Sequence, residues 1–110
     1  MDPKKFDDAL ANFIRLAQEM VNAHFAQHYP SLVPFTLSAM AGTRYVRIVR
    51  LQAGAASGPA WAFIDRTNGD ILKCDGYKRP AKGRRGNIFG ADPLEGVNAL
   101  GANYANRGNK

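Results

Sequence analysis

Apolar side chains recur every three or four positions along the first part of the chain. Phe6, Leu10, Phe13 and Ala17 follow this spacing, and polar side chains occupy the positions between them. Such a period places the apolar residues on one side of an α-helix. The pattern therefore predicts an amphipathic helix over residues 3–28.

Both ends of this helix carry boundary signals. Asp2 is a favourable N-cap, and Pro3 is tolerated in the first turn because its missing N–H has no partner there. At the other end Tyr29 precedes Pro30, and the residue before a proline is disfavoured in the α region. A helix with one apolar side must cover something, so we expect it to pack on a sheet.

After the helix the apolar spacing changes to that of strands. Four segments alternate apolar and polar positions or are rich in aromatic and β-branched side chains: residues 35–41, 44–52, 60–64 and 71–74. Asn68-Gly69 separates the last two, and both residues tolerate the positive φ of a tight hairpin. The two faces of residues 44–52 are about equally apolar, so the pattern does not choose an inward face.

These elements predict an α+β fold with one long N-terminal helix packed on a four-stranded antiparallel sheet, followed by a basic loop and a loose C-terminal tail. We expect residues 1–90 to form a single domain. Residues 91–110 are rich in Gly, Ala and Asn, and we expect this tail to be mostly disordered.

Positive charge is concentrated in the predicted sheet and loop, and this distribution bears on the choice of partner. The chain has 15 Lys and Arg against 9 Asp and Glu, a net charge of +6. Residues 31–60 carry three arginines and no acid, and residues 61–90 carry seven cations and three acids. A polyanionic partner such as nucleic acid fits this distribution. The alternative is a basic protein whose charge only limits aggregation.

The cations after the last predicted strand lie among glycines and a proline, which oppose a helix and favour an ordered loop. Cations that track phosphates and aromatic rings that stack on bases are the ingredients of single-strand binding. The expected phosphate contacts are Lys78, Arg79, Lys82, Arg84 and Arg85, with Tyr77 as the stacking residue and Arg44, Arg47 and Arg50 as an extension of the track if one sheet face is open.

Residues with catalytic or metal-binding chemistry do not form a recognisable set. His24 and His28 are four positions apart on the predicted helix, but only Cys74 offers a third soft ligand, and metal sites need three or four. Cys74 has no evident base beside it, so we expect a small, buried side chain. We therefore expect no enzyme activity, no cofactor and no metal.

Targeting signals and disulfides are also not expected. One cysteine cannot form an internal disulfide. No apolar run reaches the length of a membrane span, and the N-terminus lacks an apolar signal core. We therefore expect a cytosolic protein with no membrane partner.

Part of the chain resembles a known group of proteins. Residues 65–73, 77–82 and 85–89 together resemble a pattern in short proteins of gokushovirus-like microviruses and some tailed phages. The likeness covers residues 60–89, and the C-terminal tail departs from it. The resemblance implies a phage origin and a place in the host cytoplasm or the virion. A nucleic-acid-binding label is sometimes attached to this group, whose activity is otherwise not settled.

Charge and resemblance together favour non-catalytic binding of nucleic acid, with single-stranded DNA as the expected ligand. The alternative is a protein–protein interaction module, either a small virion component or an inhibitor of a host protein, whose basic loop docks on an acidic surface. The choice between DNA and RNA, the strand order and the oligomeric state stay open at this point.

Overall fold

The computed structural model describes residues 2–74, 80–99 and 101–102, without the side chains of Lys82 and Ala102. The elements are α1 (Pro3–His28), β1 (Thr36–Ala41), β2 (Tyr45–Leu51), β3 (Ala60–Asp65), β4 (Asp70–Cys74), β5 (Pro80–Asn87), β6 (Val97–Asn98) and β7 (Gly101–Ala102). Strands β1 to β5 form one antiparallel sheet in chain order, and β6 pairs with β7. The predicted α+β class is confirmed.

Helix α1 begins and ends where the sequence predicts. The side chain of Asp2 accepts a hydrogen bond from the backbone N–H of Lys4 at 3.0 Å. The backbone N–H of Tyr29 donates to the carbonyl oxygen of Phe25 at 2.7 Å and closes the last turn. One stripe of the helix faces the sheet, and its buried residues are Phe6, Phe13, Ala17 and Val21.

The main sheet has five strands rather than the expected four. Strand β5 occupies residues that we expected to form the basic loop, and that expectation is wrong for Pro80–Asn87. Strand β5 lies at the edge of the sheet, where proline and glycine are tolerated because one row of backbone groups needs no partner. Its pairing with β4 is irregular, with register shifts on both sides of Leu72. The proline and glycines of residues 80–87 are typical of a loop, so composition alone does not predict this strand.

A bulge brings Trp61 into the core. Ile48 pairs with Ala62 and Val49 pairs with Ala60, which leaves Trp61 as an extra residue on β3. A bulge of this kind disturbs the alternation of side chains along a strand. Both Trp61 and Ala62 consequently belong to the core beneath α1.

The structure also assigns the inward face of β2. Val46 and Ile48 belong to the core under α1, so the residues between and beside them point away from the helix. Part of the expected tail joins the same core, because Ala99 is buried there and Leu94 and Val97 pack against it. Residues 103–110 lie outside the described residues.

No helix in the described part of the chain is long and apolar enough to cross a membrane.

Candidate functional site

The face of the main sheet that points away from α1 carries a row of side chains across all five strands. We call it the second face. Directly opposed residues of neighbouring strands share a face, and the register places the following residues in one row: Met40, Arg47, Phe63, Leu72 and Arg84. Phe63 and Leu72 are buried but do not belong to the core under α1. The row thus has an apolar centre with an arginine on each side.

Tyr45 stands on the second face beside Phe63. The two rings meet edge to face, with centroids 6.3 Å apart and an interplanar angle of 85°. This geometry is favoured by the ring quadrupoles. Because Phe63 is only 2% exposed, it cannot itself stack on a ligand. Its role is to hold the half-buried ring of Tyr45 in one orientation.

Arg44 is fixed over the same tyrosine. Its guanidinium carbon lies 5.3 Å from the centre of the Tyr45 ring, and its Nη2 donates to Oδ2 of Asp65 at 3.2 Å. The Arg44 side chain is 61% exposed, whereas that of Asp65 is 8% exposed. The hydrogen bond with Asp65 raises the pKa of Arg44, so the cation is permanent and positioned by a buried anion.

Asp65 is held by more than this ion pair. Its Oδ1 accepts hydrogen bonds from the backbone N–H of Thr67 at 2.8 Å and from the Thr67 hydroxyl at 2.6 Å. Burial alone raises the pKa of Asp65, but the bonds from Thr67 and Arg44 outweigh it and leave the pKa below its ordinary value. Asp65 is therefore ionised in the folded protein at neutral pH.

A cavity of about 230 Å³ opens between the β1–β2 turn and Phe63. It is lined by two arginines, Arg44 and Arg47, and by the ring of Tyr45. Arg47 is half-buried, and its Nη2 lies 3.9 Å from the sulfur of Met40. The cavity combines two cations, one aromatic ring and an apolar floor, which suits a planar group that carries negative charge.

Arg84 marks the opposite end of the row, on β5. Its Nη1 lies 3.7 Å from Oδ1 of Asp70, and 64% of its side chain is exposed. The same Asp70 oxygen accepts a hydrogen bond from Nδ2 of Asn87 at 2.9 Å. An exposed ion pair at this distance binds weakly. Arg84 can therefore exchange Asp70 for an external anion at little cost.

The structure separates the predicted site residues into several groups. Arg44, Arg47 and Arg84 share the second face or its cavity. Arg50 does not join them, since it pairs with the core residue Leu37 and lies 5.6 Å from the ring centre of Phe35. The three arginines of β2 and its turn therefore do not form one track.

Arg85 is half-buried and is an extra residue in the β4–β5 pairing. Its Nε is buried without a hydrogen-bond partner in the described part of the chain. Tyr77, Lys78 and Arg79 lie outside the described residues, and so does the side chain of Lys82. Their predicted contacts stay predictions.

The soft metal ligands are not brought together in the described residues. The rings of His24 and His28 lie 4.5 Å apart on α1. No group of three or more possible ligands occurs in residues 2–74, 80–99 and 101–102. Cys74 is half-buried, and burial raises the pKa of its thiol while the charge of Arg50 opposes this. A raised pKa reduces the thiolate that nucleophilic chemistry needs.

Tyr45 is the residue of the site that sequence reasoning missed. It lies between Arg44 and Arg47 in the chain, and this alternation of cations with an aromatic ring is a usable signal. The signal points to a site only when the face of β2 is assigned, which the apolar pattern does not do. Trp61 and Phe63, which also lie near basic residues in the sequence, are both buried.

The fold and this site define a small α+β protein with a helix on one face of an antiparallel sheet and arginines around an aromatic centre on the other. Residues 5–104 match a family of unknown function (DUF7717), and the chain belongs to that family. Comparisons with curated proteins and with solved structures found no match.

Proposed function

We propose that this protein binds single-stranded nucleic acid without catalysis, and that the second face of the sheet is the binding surface. The observation that carries the proposal is the row in which Arg47 and Arg84 flank Phe63 and Leu72. Three strand spacings separate the two arginines, a span of about 14 Å. Cations at such a spacing can contact phosphates of one strand, and the half-buried ring of Tyr45, rather than the buried Phe63, would meet a base.

The distribution of charge supports the same surface. Residues 31–90 carry ten cations and three acids, counted from the sequence. One of these acids, Asp65, is buried and already bound by Arg44 and Thr67. It therefore repels an approaching polyanion less than a free carboxylate would. A surplus of cations on one surface steers nucleic acid toward it.

Helix α1 does not present the features of a duplex reader. Proteins that read duplex DNA commonly insert a helix with base-contacting side chains into the major groove. Helix α1 carries three cations and three acids, a net charge of zero that gives it no general attraction for duplex phosphates. A sheet face with one oriented aromatic ring fits separated bases better. The proposal takes single-stranded DNA as the ligand because a phage origin is expected from the sequence.

Further basic residues precede Arg84 in the sequence and belong to the proposal. Lys78, Arg79 and Lys82 precede Arg84 within seven positions. The proposal keeps these three as phosphate contacts and Tyr77 as a stacking residue. In a phage-infected cell, such a protein would coat or guide single-stranded DNA in the host cytoplasm.

Salt-dependent binding of a fluorescent single-stranded oligonucleotide tests the proposal. Each bound phosphate releases counterions, so the log–log slope of affinity against salt should change by about 0.7 for each phosphate that is no longer bound. Arg84→Gln should weaken binding and flatten the slope by about that amount. Arg15→Gln, an equally exposed arginine in an ion pair on α1, is the matched control and should bind like the parent. If both variants bind with the parent's affinity and slope, the second face is not the binding surface.

A protein–protein module is the second candidate. The observation that favours it is a cluster of exposed apolar side chains after α1, Tyr29, Leu32 and Val33. Clustered exposed apolar residues are characteristic of protein interaction sites. In this case the basic residues would dock on an acidic protein surface. Weak oligonucleotide binding that is insensitive to Arg84→Gln is the result that this candidate predicts.

A further inference from the structure

We propose that the cavity between the β1–β2 turn and Phe63 is a subsite for one nucleotide unit, with a base against Tyr45 and its phosphate between Arg44 and Arg47. The inference rests on the proposed function and names where a nucleotide is held. The base and phosphate could belong to a nucleotide within a strand or to a free nucleoside monophosphate. The test below separates these two sources.

The size of the cavity fits one ring system. Its volume is about 230 Å³, below the range of about 300–1,000 Å³ typical of pockets that enclose drug-sized ligands. A single base can enter, while a sugar and phosphate remain at the rim. Arg44 lines the cavity and 61% of its side chain is exposed, so its guanidinium is accessible to a phosphate.

The cavity is organised before any ligand arrives. Phe63 supports Tyr45 from one edge, and Asp65 holds Arg44. Asp65 is in turn fixed by Thr67. Groups that are already in position lose little conformational entropy on binding, which favours affinity.

The turn itself brings the walls of the cavity together. The backbone N–H of Gly42 donates to the carbonyl oxygen of Tyr45 at 2.9 Å. A Cβ atom at Gly42 would lie 2.8 Å from that same oxygen, which is too close for the turn to keep its shape. The glycine therefore allows the tight turn whose residues line the cavity.

Titration of the ¹⁵N-labelled protein with deoxyadenosine 5′-monophosphate tests the subsite directly. The expected result is that resonance shifts concentrate at Thr43, Arg44, Tyr45, Arg47 and Phe63. Tyr45→Leu should weaken binding at least about fivefold, because stacking on the ring is lost. Tyr45→Phe keeps the ring and should bind like the parent. Tyr29→Leu, which removes an exposed tyrosine elsewhere, is the control and should also bind like the parent.

Three results would overturn the subsite. The first is that the shifts fall outside the cavity. The second is that inorganic phosphate produces the same shifts with the same affinity, because a base would then play no part. The third is that Tyr45→Leu, confirmed as folded by its spectrum, binds the nucleotide as tightly as the parent does.

Oligonucleotide binding by the same variants separates the subsite from the proposed function. If Arg84→Gln weakens oligonucleotide binding and Tyr45→Leu does not, the subsite is wrong and the proposed function stands. If the nucleotide binds in the cavity but no oligonucleotide binds, the proposed function is wrong and the cavity serves a free nucleotide. If Tyr45→Leu weakens both ligands in parallel, the nucleotide belongs to a strand.

Discussion

The indole N–H of Trp61 donates a hydrogen bond to the main-chain carbonyl oxygen of Ala99 at 3.1 Å. The bond joins the middle of the sheet to a segment 38 residues further along the chain. Gly101 approaches the same part of β3 so closely that an added Cβ would collide with the carbonyl oxygen of Trp61. Trp61 thus fastens the segment before β7 to the core.

Replacing Trp61 with Phe should loosen that segment. The variant leaves the buried carbonyl of Ala99 without a donor and removes part of a buried ring, so it should cost at least about 1–3 kcal/mol of unfolding free energy. Urea denaturation measures the loss, and amide exchange should speed up at residues 94–99 more than in β1 and β2. Tyr29→Phe, which removes a polar atom from an exposed ring, is the control. Unchanged stability and exchange in Trp61→Phe would show that the hydrogen bond contributes nothing.

Gly69 in the β3–β4 turn and Gly54 in the β2–β3 connection have nearly the same φ angle but different surroundings, so Gly54 serves as a control for Gly69. Their φ angles are +82° and +81°, but a Cβ at Gly69 would lie 2.7 Å from ring carbons of Phe89, whereas nothing lies within 4 Å at Gly54. Gly54→Ala should cost about 1–2 kcal/mol, the penalty of a left-handed backbone. Gly69→Ala should cost more because the new methyl group also meets the Phe89 ring. Thermal unfolding measures both.

A second measurement isolates the effect of the Phe89 ring at Gly69. In a Phe89→Ala background the ring is absent, and the cost of Gly69→Ala should fall toward that of Gly54→Ala. Equal costs for Gly69→Ala and Gly54→Ala in the parent background would show that the Phe89 ring adds nothing to the cost.

The parts of the fold that were predictable are those in which local pattern and tertiary structure agree. The spacing of Phe6, Phe13 and Ala17 predicted α1, because a helix with this apolar stripe must bury it. Asn68-Gly69 predicted the hairpin, which the antiparallel pairing of β3 with β4 confirms, and Gly69 has the expected positive φ. Both signals act over a few residues and need no distant partner.

The parts that were not predictable depend on distant pairing. Strand β5 has the composition of a loop, and only its neighbour β4 makes it a strand. Trp61 faces the core because of a bulge against Ile48 and Val49. No local sequence pattern predicts this bulge. The candidate site depends on distant pairing in the same way. The row on the second face is defined by the assigned face of β2 and by the position of Arg84 on β5.

Asp65 should make the stability of the fold depend on acid pH. Its pKa is lower in the folded protein than in the unfolded chain, where an aspartate has a pKa of about 3.9. The stabilisation is therefore fully present above the unfolded pKa and is lost as pH falls through the folded pKa. Asp65→Asn should flatten the fall in stability below about pH 4. Asp7→Asn, on the exposed side of α1, controls for the loss of one carboxylate.

Arg44 contributes only part of this effect. In Arg44→Gln the two hydrogen bonds from Thr67 to Asp65 remain, so part of the pKa depression should remain. The pH dependence of unfolding should then lie between those of the parent and of Asp65→Asn. A pH profile in Asp65→Asn identical to the parent's would exclude Asp65 as the source.

Gln18 on α1 occupies the place of a neighbouring strand at the start of β1. Its Oε1 accepts from the backbone N–H of Leu37 at 2.8 Å, and its Nε2 donates to the carbonyl oxygen of Phe35 at 2.9 Å. These two backbone groups point to the outer edge of the sheet, away from β2, because a partner on β2 would use the alternate residues. One amide thus satisfies a donor and an acceptor that the edge leaves open.

Gln18→Ala should therefore destabilise the fold by about 1–3 kcal/mol, since two partly buried backbone groups lose their partner. Gln18→Glu keeps an acceptor for the N–H of Leu37 but sets a carboxylate oxygen against the carbonyl oxygen of Phe35, so it should also destabilise the fold. Gln27→Ala, on the exposed end of α1, removes the same kind of side chain away from the sheet edge. Urea denaturation of the three variants, with the amide exchange rate of Leu37, checks the prediction. Equal stability of Gln18→Ala and Gln27→Ala would mean that solvent satisfies this edge as well as the glutamine does.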